Sequence, residues 1–412
     1  MKAGTDRQGV DVGVVGGGPA GMTAAYHAAK AGCRVLLLDR NPLPGQKILL
    51  SGGGRCNILP ETIDPRTFTT DSSPNTLRRI LRSWPLAEVR SFIEETLGIE
   101  LIVQRRTGKV FPKSGGGEEV QRRLLAALKR VGVRLRTDVD VVEIAPSERR
   151  RIRLARGDAI VTERVILATG GLSYPQTGSD GGGLEIARRL GHAVVPTYPA
   201  LVPLRGRRRR HHALSGVALP VTLTIVASGA ARRFHGDFLF THRGYSGPVV
   251  LEAGHLVARA KVTGEIPRVS VAWTLHDAAA WHERLTSPGK SLRALLRAEL
   301  PDRVADLLLA ETGLSDVRTS ELRREDRRRL IRALTAYELP VIGTGGYHQA
   351  EVTGGGIPLG EVDPKTLRSR IVPCLSFCGE ILDAFGPIGG TNFLWAFVTG
   401  KAAGEGAASK AG

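Results

Sequence analysis

The sequence predicts an α/β fold built on a parallel sheet and interrupted by a second domain that is mostly β-strand with some helix. Three observations support this: a glycine-rich turn between an apolar strand and a helix near the N-terminus, a change in texture after about Pro196, and the return of glycine-rich segments from Gly354. A chain of 412 residues is also too long for one ordinary core. We therefore predict a first domain at 1–195, an inserted substrate-side domain at 196–350 and the closing part of the first domain at 351–412.

The N-terminal residues predict a strand, a turn, a helix and a second strand in immediate succession. Val10–Val15 is apolar and predicts a buried strand, and Gly16–Gly18 predicts a tight turn. Pro19–Ala31 predicts a helix that ends at Gly32, and Cys33–Leu38 predicts the second strand. This order is the start of a βαβ unit, whose two strands run parallel in one sheet.

The later part of the first segment alternates helices and strands. Residues Asn75–Leu97 predict a helix with a break at Pro85, and Glu118–Arg130 predicts another helix. Strands are predicted at Val133–Ile144 and Ile152–Ala168.

The inserted block combines strands with charged helices. Val221–Ala227 and Val269–Leu275 predict strands, whereas Leu292–Leu309 and Ser320–Leu334 predict helices. We expect these elements to form the inserted domain.

The chain is strongly basic, with 58 Lys and Arg against 40 Asp and Glu and a formal net charge of +18. Such a charge favours anionic partners such as nucleic acid, phosphorylated cofactors or a membrane surface. The alternative is an arginine-rich composition without a specific partner, because most basic residues are spread along the chain. Only Arg205–His212, which reads RGRRRRHH, is concentrated; we interpret it as a solvated loop and leave a phosphate or nucleic-acid contact open.

Cysteine usage and hydropathy exclude several protein classes. The four cysteines form no C-x-x-C pair, so neither a disulfide framework nor a metal site is expected. There is no N-terminal signal pattern, and no apolar run reaches the roughly 18 residues that a membrane span needs. We therefore predict a cytoplasmic protein and leave its oligomeric state open.

The turn after the first strand matches G-x-G-x-x-G at Gly16–Gly21, and the second strand ends in Asp39. Between a strand and a helix, this motif indicates a Rossmann-like dinucleotide site. Gly16 permits the tight turn, Gly18 lets the backbone approach the pyrophosphate, and Gly21 lets helix and strand pack closely. The helix N-terminus offers free N–H groups to the phosphates, and we expect Asp39 to accept hydrogen bonds from ribose hydroxyls.

The fingerprint fits both NAD and FAD, and two later segments favour FAD. Lys47–Asn57 reads KILLSGGGRCN, and its three glycines beside Ser51 and Arg55 predict a loop that follows a pyrophosphate and reaches an isoalloxazine ring. A flexible surface loop is the alternative. Val165–Gly171 reads VILATGG, an apolar strand with an ending that is common beneath the adenine half of FAD.

Two further segments near the C-terminus, FCGEILD and GPIGGTNF, end at Asp383 and Phe393. An alanine-rich helix is expected to begin near Gly390 or Thr391, so that its N-terminal dipole faces the flavin pyrimidine edge, where negative charge accumulates on reduction. Glu380 and Asp383 are candidates for hydrogen bonds to the ribityl chain or the phosphates. A turn that merely precedes a packing helix is the alternative.

Together these segments supply the residues that we expect to contact FAD, and no residue is predicted to bind a metal. The predicted FAD contacts are Gly16, Gly17, Gly18, Pro19, Ala20, Gly21, Asp39, Arg40, Lys47, Ser51, Gly53, Gly54, Arg55, Cys56, Asn57, Val141, Ala168, Thr169, Gly170, Gly379, Glu380, Asp383, Gly389, Gly390, Thr391, Asn392 and Phe393.

On these motifs the chain resembles the BaiN/YhiN-like bacterial flavoproteins, a family of NAD(P)/FAD-dependent oxidoreductases in the glutathione-reductase-like FAD superfamily. The shared segments keep one order and run nearly end to end: VVGGGPAG at 14–21, SGGGRCN at 51–57, GKVFPKS at 108–114, LATGGLSYPQTGSDGGG at 167–183, FLFTHRGYSGP at 238–248, VTGGGIPLGEVDPKTLRSR at 352–370 and CGEILDAFGPIGGTNF at 378–393. The resemblance implies non-covalent FAD, a Rossmann-like FAD-binding domain of the GR2 type and an inserted substrate-side domain. Many relatives carry D-x-D-G-x-x-G-G-Y-N near the C-terminus, and this chain departs from that pattern at Phe385 and Thr391.

The resemblance implies redox chemistry, with reduction of a conjugated enone as the best-known reaction in the family. No second G-x-G-x-x-G follows a strand, so no dedicated NAD(P)H domain is expected. NAD(P)H that docks transiently is the expected electron donor, and another reduced carrier is the alternative. Tyr174 and His242 are proton-donor candidates, and Arg243 is a candidate for binding an anion or a carbonyl; His348 has less support. A packed aromatic is the alternative for Tyr174, and a structural turn is the alternative for the other two.

Three functions are therefore compatible with the sequence. The first is an FAD-dependent oxidoreductase of a small organic molecule, with enone-type reduction as the favoured reaction. The second is a flavin-dependent RNA-modifying enzyme, suggested by the net charge and the run at Arg205–His212. The third is a flavin-binding protein without turnover.

Overall fold

The computed structural model of the protein describes residues 9–145, 150–207, 209–287, 289 and 291–409. The chain divides into two compact units. Met1–Thr197 and Glu351–Gly412 together form the first unit, and Tyr198–Ala350 forms the second unit. The two ends of the chain therefore belong to the same body.

Strands and helices alternate near the N-terminus and form longer runs of one type further along the chain. The strands are β1 (Val10–Val15), β2 (Val35–Leu38), β3 (Leu59–Pro60), β4 (Leu101–Gln104), β5 (Lys109–Pro112), β6 (Arg134–Arg136), β7 (Val141–Ile144), β8 (Arg150–Leu154), β9 (Ala159–Leu167), β10 (Val195–Ala200), β11 (Leu204–Gly206), β12 (Ala218–Ala227), β13 (Ala230–Thr241), β14 (Gly244–Ser246), β15 (Arg268–Ala272), β16 (Tyr337–Glu338), β17 (Val341–Thr344), β18 (Val352–Gly356) and β19 (Leu375–Phe377). The α-helices are α1 (Pro19–Lys30), α2 (Gln46–Leu50), α3 (Pro74–Arg82), α4 (Leu86–Ser91), α5 (Gly116–Arg130), α6 (Gly182–Arg189), α7 (Arg209–His212), α8 (Pro248–Val262), α9 (Ala278–Thr286), α10 (Leu292–Arg297), α11 (Asp302–Thr312), α12 (Arg324–Thr335) and α13 (Thr391–Ala408).

The main sheet of the first unit has the order β6-β2-β1-β9-β8-β7, with β19 also paired to β9. Strands β6, β2, β1, β9 and β19 run parallel, and β7 and β8 extend the sheet in antiparallel fashion. Every residue of β2 is buried, as expected for a parallel strand covered on both faces. This strand order is that of a Rossmann-like sheet, and the predicted α/β fold is confirmed.

Several predicted elements are split in the structure. The strand predicted at Val133–Ile144 is two strands, β6 and β7, which lie at opposite edges of the sheet. The helix predicted at Leu292–Leu309 is interrupted at Pro301, where α10 has ended and α11 begins at the next residue. Proline has no N–H to donate to the preceding turn, so it starts helices more readily than it continues them.

Helices α1 and α13 come from opposite ends of the chain and pack against each other through glycine. A Cβ at Gly400 would lie 2.5 Å from the carbonyl oxygen of Ala20, and one at Gly404 would lie 2.4 Å from that of Ala24. The two backbones are therefore too close for any side chain at these positions. This contact fixes the C-terminal helix on the N-terminal one.

Gly404→Ala is expected to lower the free energy of unfolding by about 1–3 kcal/mol, despite the higher helix propensity of alanine, because the added methyl group forces α1 and α13 apart. Urea unfolding followed by circular dichroism measures the change. Gly360→Ala is the control, since a Cβ there meets no atom within 4 Å. Equal unfolding midpoints for Gly404→Ala and the control would contradict the close packing of the two helices.

The second unit is an antiparallel sheet with the order β16-β15-β12-β13-β14-β11-β17, accompanied by α7–α12. Its core is mostly aliphatic and includes an aromatic cluster, in which Phe240 stacks on Trp273 with ring centroids 5.7 Å apart. No helix within the described residues is long and apolar enough to cross a lipid bilayer.

The basic run at Arg205–His212 is not the solvated loop that the sequence predicted. It begins in β11 and continues into the short helix α7, while Arg208 lies outside the described residues. His211 is fully buried, and its ring nitrogens lie 2.7 Å from the hydroxyl of Tyr245 and 2.9 Å from that of Tyr337. A histidine inside a run of arginines thus anchors the run to the core.

Candidate functional site

The carboxyl ends of the central parallel strands meet at one edge of the first unit's sheet. The N–H of Gly16 donates to the carbonyl of Leu38 at 2.8 Å, and the N–H of Ala168 donates to the carbonyl of Val15 at the same distance. The segments that follow β1, β2, β9 and β19 therefore converge, as ligand-binding loops do in open α/β sheets. They line a cavity of about 690 Å³, all of it within the first unit.

The glycines of the first turn differ in what surrounds them. Gly16 has a φ of +105°, and a Cβ there would lie 2.4 Å from the carbonyl oxygen of Ala168. A Cβ at Gly21 would lie 1.8 Å from the carbonyl oxygen of Gly16, so this position is glycine for packing. At Gly18 the backbone is ordinary, with a φ of −73°, and a Cβ would meet nothing within 4 Å. The fold itself therefore does not require a glycine at position 18.

Asp39 lies directly after β2 with its carboxylate at the cavity wall. The carboxylate accepts hydrogen bonds from the N–H of Gly17 at 2.6 Å and from the N–H and side-chain amide of Asn41 at 2.8 and 3.0 Å. Burial raises the pKa of Asp39, and these donors oppose the increase. Arg40 beside it is paired with Asp140 at 2.6 Å and with Asp180 at 2.5 Å, so its charge is already compensated.

The SGGGRCN segment forms a tight turn on the cavity wall. Gly53 adopts the left-handed conformation, with a φ of +65°, and a Cβ there would meet no atom within 4 Å. The guanidinium of Arg55 lies 4.4 Å from the ring centroid of Phe111. In the orientation of the side-chain amide that satisfies both its oxygen and its nitrogen, Asn57 accepts a hydrogen bond from the N–H of Gly390 at 3.2 Å. This contact joins the early glycine turn to the late one.

The late glycine turn ends at the start of α13, which places the N-terminus of that helix in the cavity wall. A Cβ at Gly390 would lie 2.4 Å from the carbonyl carbon of Leu59, whereas one at Gly389 would meet nothing within 4 Å. Asn392 closes the turn by accepting from the N–H of Gly386 at 2.9 Å and donating to its carbonyl at 3.0 Å. Only Gly389 therefore leaves space toward the cavity.

A polar cluster ties four separate segments together at the cavity. Lys47 forms an ion pair with Glu380 and lies 2.5 Å from the hydroxyl of Ser173. Glu380 also accepts from the hydroxyl of Ser173 at 2.5 Å and from the N–H of Thr353 at 3.0 Å. The lysine and the glutamate thus compensate each other's charge while both line the cavity.

Tyr174 and Glu351 supply the cavity with two acidic side chains whose pKa is raised by burial. Tyr174 is half-buried and has a φ of +50°, a conformation that non-glycine residues rarely adopt outside functional sites and turns. Burial raises the pKa of its hydroxyl, and the charge of Glu351 raises it further. The Glu351 side chain is open to the cavity and enclosed by protein on its other sides. This partial burial raises the pKa of its carboxyl group, and the charges of Lys109 and Lys47 oppose that increase.

Most of the residues that the sequence singled out lie together at this cavity. The predicted residues that line it are Gly16, Gly17, Gly18, Pro19, Ala20, Asp39, Arg40, Lys47, Ser51, Gly53, Arg55, Asn57, Val141, Ala168, Thr169, Gly170, Tyr174, Gly379, Glu380, Gly389, Gly390, Asn392 and Phe393.

Five predicted cofactor contacts do not line the cavity: Gly21, Gly54, Cys56, Asp383 and Thr391. Gly21 is used in packing. Cys56 is fully buried in the core, and burial raises the pKa of its thiol to about 11. Thr391 is also buried, with its hydroxyl donating to the carbonyl of Pro387. Gly54 belongs to the SGGGRCN turn but lies outside the lining.

The three histidine and arginine candidates of the inserted block lie in the second unit. His242 and Arg243 are exposed on the turn between β13 and β14, and His348 is exposed beyond β17. Their proposed catalytic roles stay predictions.

Asp383 holds a loop of the first unit together instead of facing the cavity. Its carboxylate accepts hydrogen bonds from the N–H of Asp71 at 3.0 Å and from the hydroxyls of Ser72 and Thr70 at 3.1 and 3.2 Å. The side chain is almost fully buried, and burial raises its pKa from 3.8 to about 6. The neighbouring Glu380, in the same short segment, takes the position at the cavity.

Asp383→Asn is expected to remove a pH dependence of stability. A carboxyl whose pKa is raised by folding stabilises the protein while it is protonated, and this contribution is lost as the pH rises from 3.8 through about 6. Relative to the variant, the wild type should lose up to about 3 kcal/mol of unfolding free energy over that range. Urea unfolding at a series of pH values measures the difference, with Asp158→Asn as the exposed control; parallel curves for wild type and Asp383→Asn would contradict the assignment.

Two residues that the sequence did not mark prove central to the cavity wall. Glu351 immediately precedes β18, and no motif distinguishes it from a surface glutamate. Lys109 lies on β5, inside the GKVFPKS segment. That segment is one of those on which the family resemblance rests, but its sequence pattern did not indicate which of its side chains faces the cavity.

Residues 10–406 match the family model described as HI0933-like protein Rossmann domain. The chain is 32% identical over 389 residues to the ribosomal RNA dihydrouridine synthase of Escherichia coli K12, a match that covers 93% of this chain and 94% of that protein. It is 31% identical over 412 residues to the 3-dehydro-bile acid delta(4,6)-reductase of Clostridium scindens, with 97% and 99% covered. The solved 3-ketosteroid-delta4-(5alpha)-dehydrogenase of Rhodococcus jostii RHA1 aligns with a TM-score of 0.51 at 16% identity, covering 100% of this chain and 99% of that chain, which shows a shared fold.

Proposed function

The chain belongs to the HI0933-like Rossmann-domain family, as its motifs predicted, and is an FAD-dependent oxidoreductase; from this premise we propose that it reduces a carbon–carbon double bond conjugated with a carbonyl group, using electrons from NAD(P)H. The observation that carries the proposal is one cavity that combines glycine turns with two acidic side chains, Tyr174 and Glu351, whose pKa is raised by burial. When bound, FAD supplies the hydride transfer.

The cavity wall fits a pyrophosphate-linked dinucleotide. The N-terminus of the 12-residue helix α1 opens onto the cavity, and Gly18 leaves room beside it where a side chain would otherwise stand. Backbone N–H groups and the positive end of the helix dipole favour phosphate there. Asp39 and the late glycine turn line the same cavity, and we propose that Asp39 accepts hydrogen bonds from ribose hydroxyls.

The protein's part in the reduction is to hold the carbonyl and to deliver a proton. The substrate gains a hydride at the β carbon and a proton at the α carbon, and negative charge develops on the carbonyl oxygen in between. Tyr174 keeps its proton at neutral pH and is our proton-donor candidate; Glu351 is a second acid in the same wall. The ammonium group of Lys109 is the group that we propose to stabilise the carbonyl oxygen.

The names of two similar proteins agree with this reaction class. A delta(4,6)-reductase of a 3-dehydro-bile acid saturates double bonds conjugated with a ketone, and a dihydrouridine synthase saturates the double bond of uracil, which is conjugated with a carbonyl. Both products arise from addition of a hydride and a proton across such a bond. The reaction class is therefore better supported than either substrate.

A uracil base in RNA is the second candidate substrate. The formal net charge of +18 favours an RNA partner, and two similar proteins at 31–32% identity carry the name ribosomal RNA dihydrouridine synthase. The same cavity chemistry would serve, because uracil presents a conjugated carbonyl to the acid groups.

Anaerobic stopped-flow spectroscopy tests the proposal. The FAD-loaded protein is reduced with NADH or NADPH, and the reduced flavin is mixed with a steroid dienone or with a uridine-containing RNA. Reoxidation of the flavin with formation of the saturated product supports the proposal and identifies the substrate class. If neither compound reoxidises the flavin faster than buffer does, the proposed reaction is wrong.

The same experiment separates an enzyme from a flavin-binding protein without turnover. An enzyme's flavin should be reduced cleanly by at least one nicotinamide and by dithionite. Flavin that resists all three reductants would favour a non-catalytic role.

A further inference from the structure

The second unit brings together two basic segments that are distant in sequence. Strand β11 pairs with β14 in antiparallel register, with Arg205 opposite Gly244. The N–H of Gly206 donates to the carbonyl of Arg243 at 3.1 Å. The described residues of the run, Arg205–Arg207 and Arg209–His212, therefore lie on one surface with the turn at His242 and Arg243, and we call it the arginine surface.

The side chains of the arginine surface are exposed. They are Arg205, Arg207, Arg209, Arg210, His242 and Arg243. Within the described part of the chain, no ion pair joins the first four arginines to an acidic residue. Arginines elsewhere in this unit are paired, such as Arg284 with Glu299 at 2.6 Å and Arg297 with Asp306 at 2.9 Å. The positive charge of this surface is thus available to an external anion.

The backbone beneath these arginines is fixed by the fold. Buried His211 lies between two tyrosine hydroxyls, the N–H of Arg207 donates to the carbonyl of Pro340 at 3.1 Å, and the ring of His212 lies 3.2 Å from the carbonyl oxygen of Gly206. A disordered basic segment would lose conformational entropy on binding, whereas Arg207, His211 and His212 are already held by hydrogen bonds. A basic segment that contacted only solvent would not need its backbone to be fixed in this way.

We propose that the arginine surface binds the phosphate backbone of RNA. Guanidinium groups bind phosphate oxygens in bidentate fashion, and closely spaced arginines match a repeating polyanion. A membrane surface fits less well, because α7 has only four residues and cannot lay an apolar helical face into a bilayer. The choice of RNA over DNA rests on the second candidate function, whereas the surface itself is inferred from the second unit alone.

Fluorescence anisotropy with a labelled polyuridine tests the surface in the FAD-loaded, full-length protein. The variant replaces Arg205, Arg207, Arg209 and Arg210 with Gln. We expect its affinity for polyuridine to fall at least about tenfold near 0.1 M salt, and the slope of log K against log salt to shrink by about 0.7 for each lost phosphate contact. Replacing the same four residues with Lys should retain most of the affinity, because the charge is kept.

The control removes equal charge elsewhere in the same unit by changing the exposed Arg232, Arg233, Arg323 and Arg324 to Gln. The control is expected to bind polyuridine like the wild type. No binding by the wild type, an equal loss in the control, or tighter binding to duplex DNA or to anionic phosphatidylserine vesicles would each overturn the proposal. Because the readout is binding, this result is independent of whether the flavin reduces any substrate; reoxidation of the reduced flavin by a small free dienone serves as the separate readout for the reaction.

Discussion

Gly18→Val is expected to give a folded protein that no longer retains FAD. The backbone at Gly18 has a φ of −73°, which valine adopts without strain, and a Cβ there would meet no protein atom within 4 Å. The side chain would instead enter the cavity beside the N-terminus of α1, where we place the pyrophosphate. Overpacking of about 1–3 kcal/mol corresponds to a roughly 5- to 150-fold weaker affinity, and direct loss of phosphate contacts would add to that.

The ratio of visible flavin absorbance to protein absorbance measures FAD content, and circular dichroism with thermal unfolding reports the fold. Gly21→Val is the informative contrast, because a Cβ there would lie 1.8 Å from the carbonyl oxygen of Gly16 and should damage the fold itself. A Gly18→Val protein that is yellow and stoichiometrically loaded would show that the pyrophosphate lies elsewhere.

The second large effect is expected from Glu351→Gln, which should slow substrate reduction by about 10²- to 10⁴-fold if Glu351 is a general acid. A general acid acts in its protonated form, so the wild-type rate should fall as the pH rises through the pKa of Glu351, which the enclosing protein raises above the ordinary value. Glutamine cannot titrate, and the variant should lose this limb of the pH profile. Rates of flavin reoxidation by substrate across a pH series measure both effects.

Loss of stability cannot account for the expected effect of Glu351→Gln. A raised pKa means that folding disfavours the carboxylate, so the neutral glutamine should leave the protein at least as stable at neutral pH. Tyr174→Phe provides the companion test of the other acid, and Glu338→Gln is the exposed control. A Glu351→Gln enzyme with the wild-type rate and pH profile would return the role of proton donor to Tyr174 alone.

Neighbouring acids show how far a motif can predict a site. Glu380 and Asp383 lie in one short segment, and the sequence assigned both to the cofactor. In the structure Glu380 reaches the cavity, where Lys47 and Ser173 hold it, whereas Asp383 is taken up by the loop at 70–72. Lys47, Ser173 and the loop at 70–72 all lie hundreds of residues away in the chain, so the local pattern contains nothing that distinguishes the two carboxylates.

The run RGRRRRHH illustrates the same limit. Composition marked it as charged and favoured a solvated loop, but burial of His211 between Tyr245 and Tyr337 makes it an ordered part of the second unit. In the sequence, a histidine next to four arginines predicts an exposed polar side chain. Its burial depends on two tyrosines supplied by β14 and β16.

What the sequence by itself determined were the features that depend on neighbours along the chain. The βαβ start, the glycine turn at Gly16–Gly18 and the start of α13 near Thr391 all follow from local periodicity and glycine placement, and the structure confirms these secondary-structure elements. The tertiary structure alone decided that Glu351 faces the cavity and that Cys56 does not. The physical reason is that backbone conformation is set largely by nearby residues, whereas the direction of a side chain and its protonation are set by whatever the fold packs around it.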